Sequence, residues 1–175
     1  MKPRVIVLMG VAGSGKTTIG PLLARALGWN YAEGDQFHPP ANVAKMRGGT
    51  PLDDADRAPW LAAMAASIRE WIAQNTPTVL AASALKQRYR DTLQQGSDAV
   101  RFVWLKGDLD RIAARMAART DHFMPPALLR SQFATLEPPG DAIEVGIEGT
   151  PDEIVADIVA RLAAEDQWAA SGERD

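Results

Sequence analysis

Eight consecutive residues, Gly10-Val11-Ala12-Gly13-Ser14-Gly15-Lys16-Thr17, match the pattern G-x-x-x-x-G-K-[ST] in full. Each fixed residue type has a chemical reason. Gly10, Gly13 and Gly15 let the backbone turn tightly and aim its amides at phosphate oxygens. Val11, Ala12 and Ser14 join the cradle through the same main chain, and Thr18 extends it into the next helix. That helix presents its positive N-terminal end to the anion. Lys16 reaches the β- and γ-phosphates, and the Thr17 hydroxyl can ligate Mg²⁺. By itself the loop promises a nucleoside triphosphate and a magnesium ion.

Phosphate loops serve GTPases, motor ATPases and small-molecule kinases, and other residues separate these classes. No N-K-x-D element for reading guanine is present. The apolar run Val79–Ala82 leads into Ser83-Ala84 without an acid at its tip, where many ATPases place one. A catalytic carboxylate must come from elsewhere, and Asp35 in Gly34-Asp35-Gln36-Phe37-His38 is the candidate. A kinase acting on a hydroxyl needs a carboxylate that orients the hydroxyl and accepts its proton. The alternative for Asp35 is an Asx-turn or a helix cap. His38 either binds an acceptor hydroxyl or caps the following helix.

Cations form the remaining candidates. Arg111, Arg115 and Arg119 lie at spacing four and share one face of a predicted helix. Arginines entering on a closing lid would neutralise the transferring phosphoryl group and exclude water. Arg119 is assigned to catalysis and Arg115 to the nucleotide. The competing reading is a solvated basic face paired with Asp108 or Asp110. Arg57 sits at a predicted helix start, where the dipole disfavours a cation. Its partner is then either the preceding aspartates or an acidic substrate. Lys86 follows the third strand closest to its tip, ahead of Arg88 and Arg90. Trp60 and Trp71 read as core or interface residues.

These groups need a scaffold. Apolar runs at Val5–Met9, Trp29–Glu33, Thr78–Ala82, Val100–Leu105 and Ile143–Val145 read as strands. Helical periodicity covers Lys16–Leu27, the stretch from Asp53 to Gln74, and the chain beyond Thr150. There Thr150-Pro151-Asp152-Glu153 supplies a cap, an N1 proline and a capping-box glutamate. The alternation predicts an α/β fold of three layers, α/β/α, around a parallel sheet of about five strands. Ligands of such sheets sit at the carboxyl ends of the strands. The loops after Met9, Glu33 and Ala82 therefore share one rim, and the loop Ile147–Thr150 is the expected adenine side.

The bulk properties narrow the class. The 175 residues suit one domain, and the net charge of −3 disfavours a broad grip on nucleic acid. No cysteine is present, so disulfides, thiolate metal sites and cysteine nucleophiles are excluded. The run Val5–Met9 is too short for a signal-peptide core or a membrane span. A soluble cytoplasmic protein with no membrane partner is expected, with a polar tail after Trp168.

Several segments together resemble the small, adenylate-kinase-like gluconokinases, over nearly the whole chain. They are Met9–Thr17, Gly34-Asp35-Gln36-Phe37-His38-Pro39, Asn42–Met46, Gly49–Asp54, Asp56–Leu61 and Ser83–Asp91. His122-Phe123-Met124-Pro125, Leu128-Leu129, Ser131-Gln132-Phe133 and Leu136-Glu137-Pro138 complete the set. The resemblance implies ATP- and Mg²⁺-dependent phosphorylation of D-gluconate at its 6-hydroxyl, feeding the pentose phosphate or Entner–Doudoroff routes. It also implies a single kinase domain over 1–175, with an acceptor-binding region at roughly 35–75, a helical lid at roughly 108–137, and a homodimer. Ala12, Thr17, Phe37 and Ala82 depart from the family's usual residues, but Thr17 keeps the hydroxyl. Gluconate needs a cation for its carboxylate and polar groups for its hydroxyls. Arg57 and Lys86 suit the first task, Asp35 and His38 the second. By looser analogy with shikimate kinases, Arg130 faces substrate or lid. The rival acceptors are shikimate and a nucleoside monophosphate, and the rival class is an ATP sensor without transfer.

Overall fold

The computed structural model describes residues 3–119 and 126–171. Strand β1 (Val5–Met9) is fully buried at every position, because it lies at the centre of the sheet. It pairs in parallel with β3 (Thr78–Ala81) on one side and β4 (Val100–Lys106) on the other. The outer strands β2 (Asn30–Glu33) and β5 (Ile143–Gly146) complete the order β2-β3-β1-β4-β5, also in parallel. A strand covered on both faces reads as continuous apolar sequence, which is why Val5-Ile6-Val7-Leu8-Met9 was legible.

The two faces separate by residue parity. Ile6 and Leu8 join a core with Ile19 and Leu23 of α1 (Lys16–Leu27) and Ile154 and Ile158 of α7 (Pro151–Ser171). Val5, Val7 and Met9 face Trp60, Met64 and Ile68 of α3 (Asp54–Ala73) and Tyr89 and Leu93 of α4 (Gln87–Gln94). The three expected layers are present. The predicted cap forms: Thr150 and Glu153 exchange hydrogen bonds ahead of α7. Asp53 and Asp56 make a second capping box ahead of α3, one the sequence reading did not single out.

Three helices lie beyond the periodicity reading: α2 (Pro40–Arg47), α4, and α6 (Pro126–Thr135). The eight and ten residues of α2 and α6 carry little amphipathic signal, so composition hid them. A correction concerns α5 (Leu109–Ala117), which ends before Arg119. The Arg119 amide donates to the Met116 carbonyl at 3.2 Å, a tight closing turn. Arg119 therefore leaves the face that Arg111 and Arg115 occupy. Asp108 accepts from the Arg111 amide at 2.7 Å, so it caps α5 rather than pairing with a side chain. The segment His122–Pro125 lies outside the described residues. No helix among the described residues is long and apolar enough to cross a membrane.

Candidate active site

The phosphate loop leaves the carboxyl end of β1. Gly10, Gly13 and Gly15 have φ of 151°, 77° and 106°, a region that side-chain-bearing residues rarely adopt. Gly10 is constrained twice, since a Cβ there would lie 2.6 Å from the Ser14 hydroxyl. Ser14 is buried, and its Oγ has no hydrogen-bond partner among the described residues. Gly15 caps α1 without any side chain, which leaves the helix N-terminus open to an anion. Lys16 Nζ donates to the Gly10 and Val11 carbonyls at 2.8 and 2.9 Å. Burial lowers the Lys16 pKa to about 8, against the opposing pull of the Asp35 and Glu33 carboxylates. The Gly10 amide donates to Ser83 at the tip of β3, the tip that carries no acid.

Across from the loop, β2 runs into a short 3₁₀ turn, Gly34–Phe37. Asp35 projects from this turn, exposed, with no side-chain hydrogen bond among the described residues. It thus acts as neither Asx-turn nor cap. His38 caps nothing either, since α2 begins without a side-chain cap. Instead its ring stacks on Trp60 at 4.5 Å and 10°. The Trp60 indole donates to the Gly34 carbonyl at 2.8 Å. Asn42, almost fully buried, donates from one amide group to His38 Nδ1 at 3.1 Å and to the Asp56 carbonyl at 2.8 Å. A donor at Nδ1 assigns the proton to Nε2. Burial lowers the His38 pKa, with Arg57 adding to the effect and Asp35 opposing it. His38 is therefore a neutral ring, its orientation fixed on two sides.

The cations divide. Arg57 lines the cleft, and its Nη1 donates to the Tyr89 hydroxyl at 3.2 Å. Among the described residues it makes no ion pair, because the neighbouring aspartates are engaged elsewhere. Asp56 pairs with Lys45 at 2.8 Å, and Asp54 pairs with Lys86 and Arg88. Of the two partners open to Arg57, the aspartates are thus removed. Lys86 is not brought to the cleft, since Asp54 holds it at 3.1 Å above the Tyr89 ring. Arg130 is also outside, on the solvent side of α6, whose cleft-facing residues are Leu128, Ser131 and Gln132. Arg115 donates to the Ile147 carbonyl, which places it against the loop expected to face adenine but not in the cleft. Arg119 does line the cleft.

One cleft of about 320 Å³ gathers Ala12, Gly13, Gly15, Lys16 and Thr17 with Asp35, His38, Arg57 and Arg119. Gly10, Val11, Ser14 and Thr18 support the loop without lining it. Glu33, Asn42, Trp60 and Gln132 were not singled out as site residues by sequence. Glu33 accepts from the Tyr31 hydroxyl at 2.6 Å and lines the same cleft. Gln132 Oε1 accepts from the Ala12 amide at 2.7 Å. That amide, expected to hold phosphate, is thereby engaged by α6. Met116 of α5 covers the next residue, where a Cβ on Gly13 would lie 2.7 Å from its Cγ.

A strand-loop-helix built for polyphosphate, facing across one cleft a carboxylate unpaired among the described residues, defines a P-loop kinase of small molecules. The family model for shikimate kinase matches residues 12–136. The gluconokinase of Gluconobacter oxydans (strain 621H) is 47% identical over 169 residues, covering 95% of each chain. A gluconokinase crystal structure from Sinorhizobium meliloti 1021 superposes with a TM-score of 0.86 at 41% identity, covering 98% of each chain. The APS kinase of Mycobacterium tuberculosis shares the fold alone, with a TM-score of 0.71 at 17% identity over 93% of this chain and 98% of that one. The chain belongs to the gluconokinase family, within the wider group of shikimate-kinase-like enzymes.

Proposed function

We propose that the chain transfers the γ-phosphate of ATP to the 6-hydroxyl of D-gluconate. The observation that carries this is one cleft in which Lys16 and Thr17 face Asp35, His38 and an Arg57 that has no acidic partner among the described residues. Gluconate is an extended polyol with one carboxylate, and each part finds a complement. Arg57 takes the carboxylate, since a guanidinium forms strong charge-assisted bonds to it. His38 offers its Nε2 proton to a hydroxyl from an orientation fixed by Asn42 and Trp60. Asp35 aligns the attacking hydroxyl and receives its proton. Lys16 and the amides of the phosphate loop hold the β- and γ-phosphates, and Arg119 approaches the transferring group.

The residues fit a magnesium ion as well. Thr17, Glu33 and Asp35 all line the cleft, and a hydroxyl with carboxylates is an oxygen-rich set suited to magnesium. When bound, the metal neutralises charge on the phosphates. Helices α5 and α6 act as the lid over this space, within a single kinase domain. Met116 and Gln132 already sit against Gly13 and Ala12, and further closure over bound ATP would keep water out and limit idle hydrolysis. The reading includes a cytosolic enzyme, where ATP and sugar acids meet, and on the family resemblance a homodimer.

The test is ADP release in the presence of gluconate, shikimate or a nucleoside monophosphate. Gluconate alone is expected to stimulate. Stimulation by either rival, with none from gluconate, overturns the assignment. Arg57→Met is expected to raise the gluconate KM by about 10- to 100-fold, the value of a hydrogen bond to a charged group, with the ATP KM unchanged.

A further inference from the structure

We infer that Tyr89 and Asp54 are positioning residues that hold Arg57 aimed at the acceptor's carboxylate without bonding it to an acid. The inference rests on the reading of Arg57 given above. Arg57 reaches the cleft from the first turns of α3, and its Nη1 is anchored by the Tyr89 hydroxyl at 3.2 Å. The same hydroxyl donates its proton to Asp54 Oδ1. Its lone pair is thereby turned toward the guanidinium, and the phenol acts as a relay between an arginine and an aspartate.

The relay solves a problem of charge. A carboxylate bonded directly to Arg57 would fix its orientation but neutralise it, and an acidic substrate would then have to displace that partner. A phenol fixes the same geometry while remaining neutral. The aspartate behind it spends its charge on two other cations, Lys86 at 3.1 Å and Arg88. Tyr89 is well suited to bear this load, being buried on α4 in the core cluster that includes Trp60 and Leu93. Arg57, Lys86 and Arg88 all stand 5.6 to 5.7 Å from its ring centre. The motif Lys86-Gln87-Arg88-Tyr89 thus supports the acceptor site from outside the cleft.

Tyr89→Phe keeps the ring and its packing and removes only the relay. The expected result is an increase of about tenfold in the gluconate KM, with kcat within twofold and the ATP KM unchanged. Asp54→Ala, at an exposed position, is expected to move the gluconate KM in the same direction by releasing the hydroxyl proton. The decisive measurement is the double variant with Arg57→Met. If Tyr89 acts through Arg57, adding Tyr89→Phe to Arg57→Met changes the gluconate KM by less than twofold. Additive effects in the double variant mean that Tyr89 acts independently, and the inference falls. It also falls if Arg57→Met raises the KM while Tyr89→Phe leaves it unchanged. If Arg57→Met itself has no effect on gluconate, the carboxylate assignment fails, and the positioning role fails with it.

Discussion

Replacing Lys16 with methionine is expected to reduce kcat by about 10³-fold or more, because a charge that stabilises the transferring phosphoryl group is lost from a water-poor site. The isosteric apolar chain should leave the fold intact, which circular dichroism and melting will check. A near wild-type kcat would mean that this loop is not the catalytic one. The lysine also carries a pH signature. Burial sets its pKa near 8 against the ordinary 10.5, so the free site loses its proton as the pH rises through about 8. A bound triphosphate favours the charged form and raises that pKa again. Between about pH 8 and 10, ATP binding should therefore take up a proton, and affinity should weaken as pH rises. Calorimetry at pH 9 in buffers of different ionisation enthalpy will detect the uptake. Lys16→Met should abolish it.

Asp35→Asn gives the second large effect, an expected fall in kcat of about 10²- to 10⁴-fold. The lower end is favoured if the transfer is loose, since such a transition state asks little of its base. The amide still hydrogen-bonds a hydroxyl, so the gluconate KM should change by less than fivefold. A drop in kcat under threefold, with the fold intact, would reduce Asp35 to a binding role. The substitution should also reach Lys16. The Asp35 charge raises the lysine's pKa, so its removal lowers that pKa further. The alkaline limb of ATP binding should move to lower pH in this variant.

What was legible in the sequence follows from how local each feature is. The phosphate loop is fixed by backbone conformation within eight residues, so its glycines, Lys16 and Thr17 were readable without any partner. Central strand β1 announced itself because both of its faces are buried. Arg57 could be flagged from one local conflict, a cation near a helix N-terminus. Other parts depend on contacts between distant segments. Asn42 lies on a helix with almost no amphipathic signal, and its purpose appears only when His38 and Asp56 converge on it. Gln132 meets Ala12 across 120 residues of chain. Spacing alone gave Arg119 a place on α5, but the helix stops two residues short. Lys86 was close to the right strand tip, yet an aspartate from α3 claims it.

The bond from the Ala12 amide to Gln132 has a consequence for observation. A backbone proton in β1 can exchange with solvent only when the whole sheet opens, since each residue there is fully buried. The Ala12 proton sits just past that strand but is guarded by α6. Its exchange requires only that the Gln132 side chain leave it, at a far smaller free-energy cost than unfolding. Deuterium uptake at this single position is therefore expected to report how often α6 withdraws Gln132 from the loop. Ligands that close the cleft should slow it without altering protection in the strand beneath.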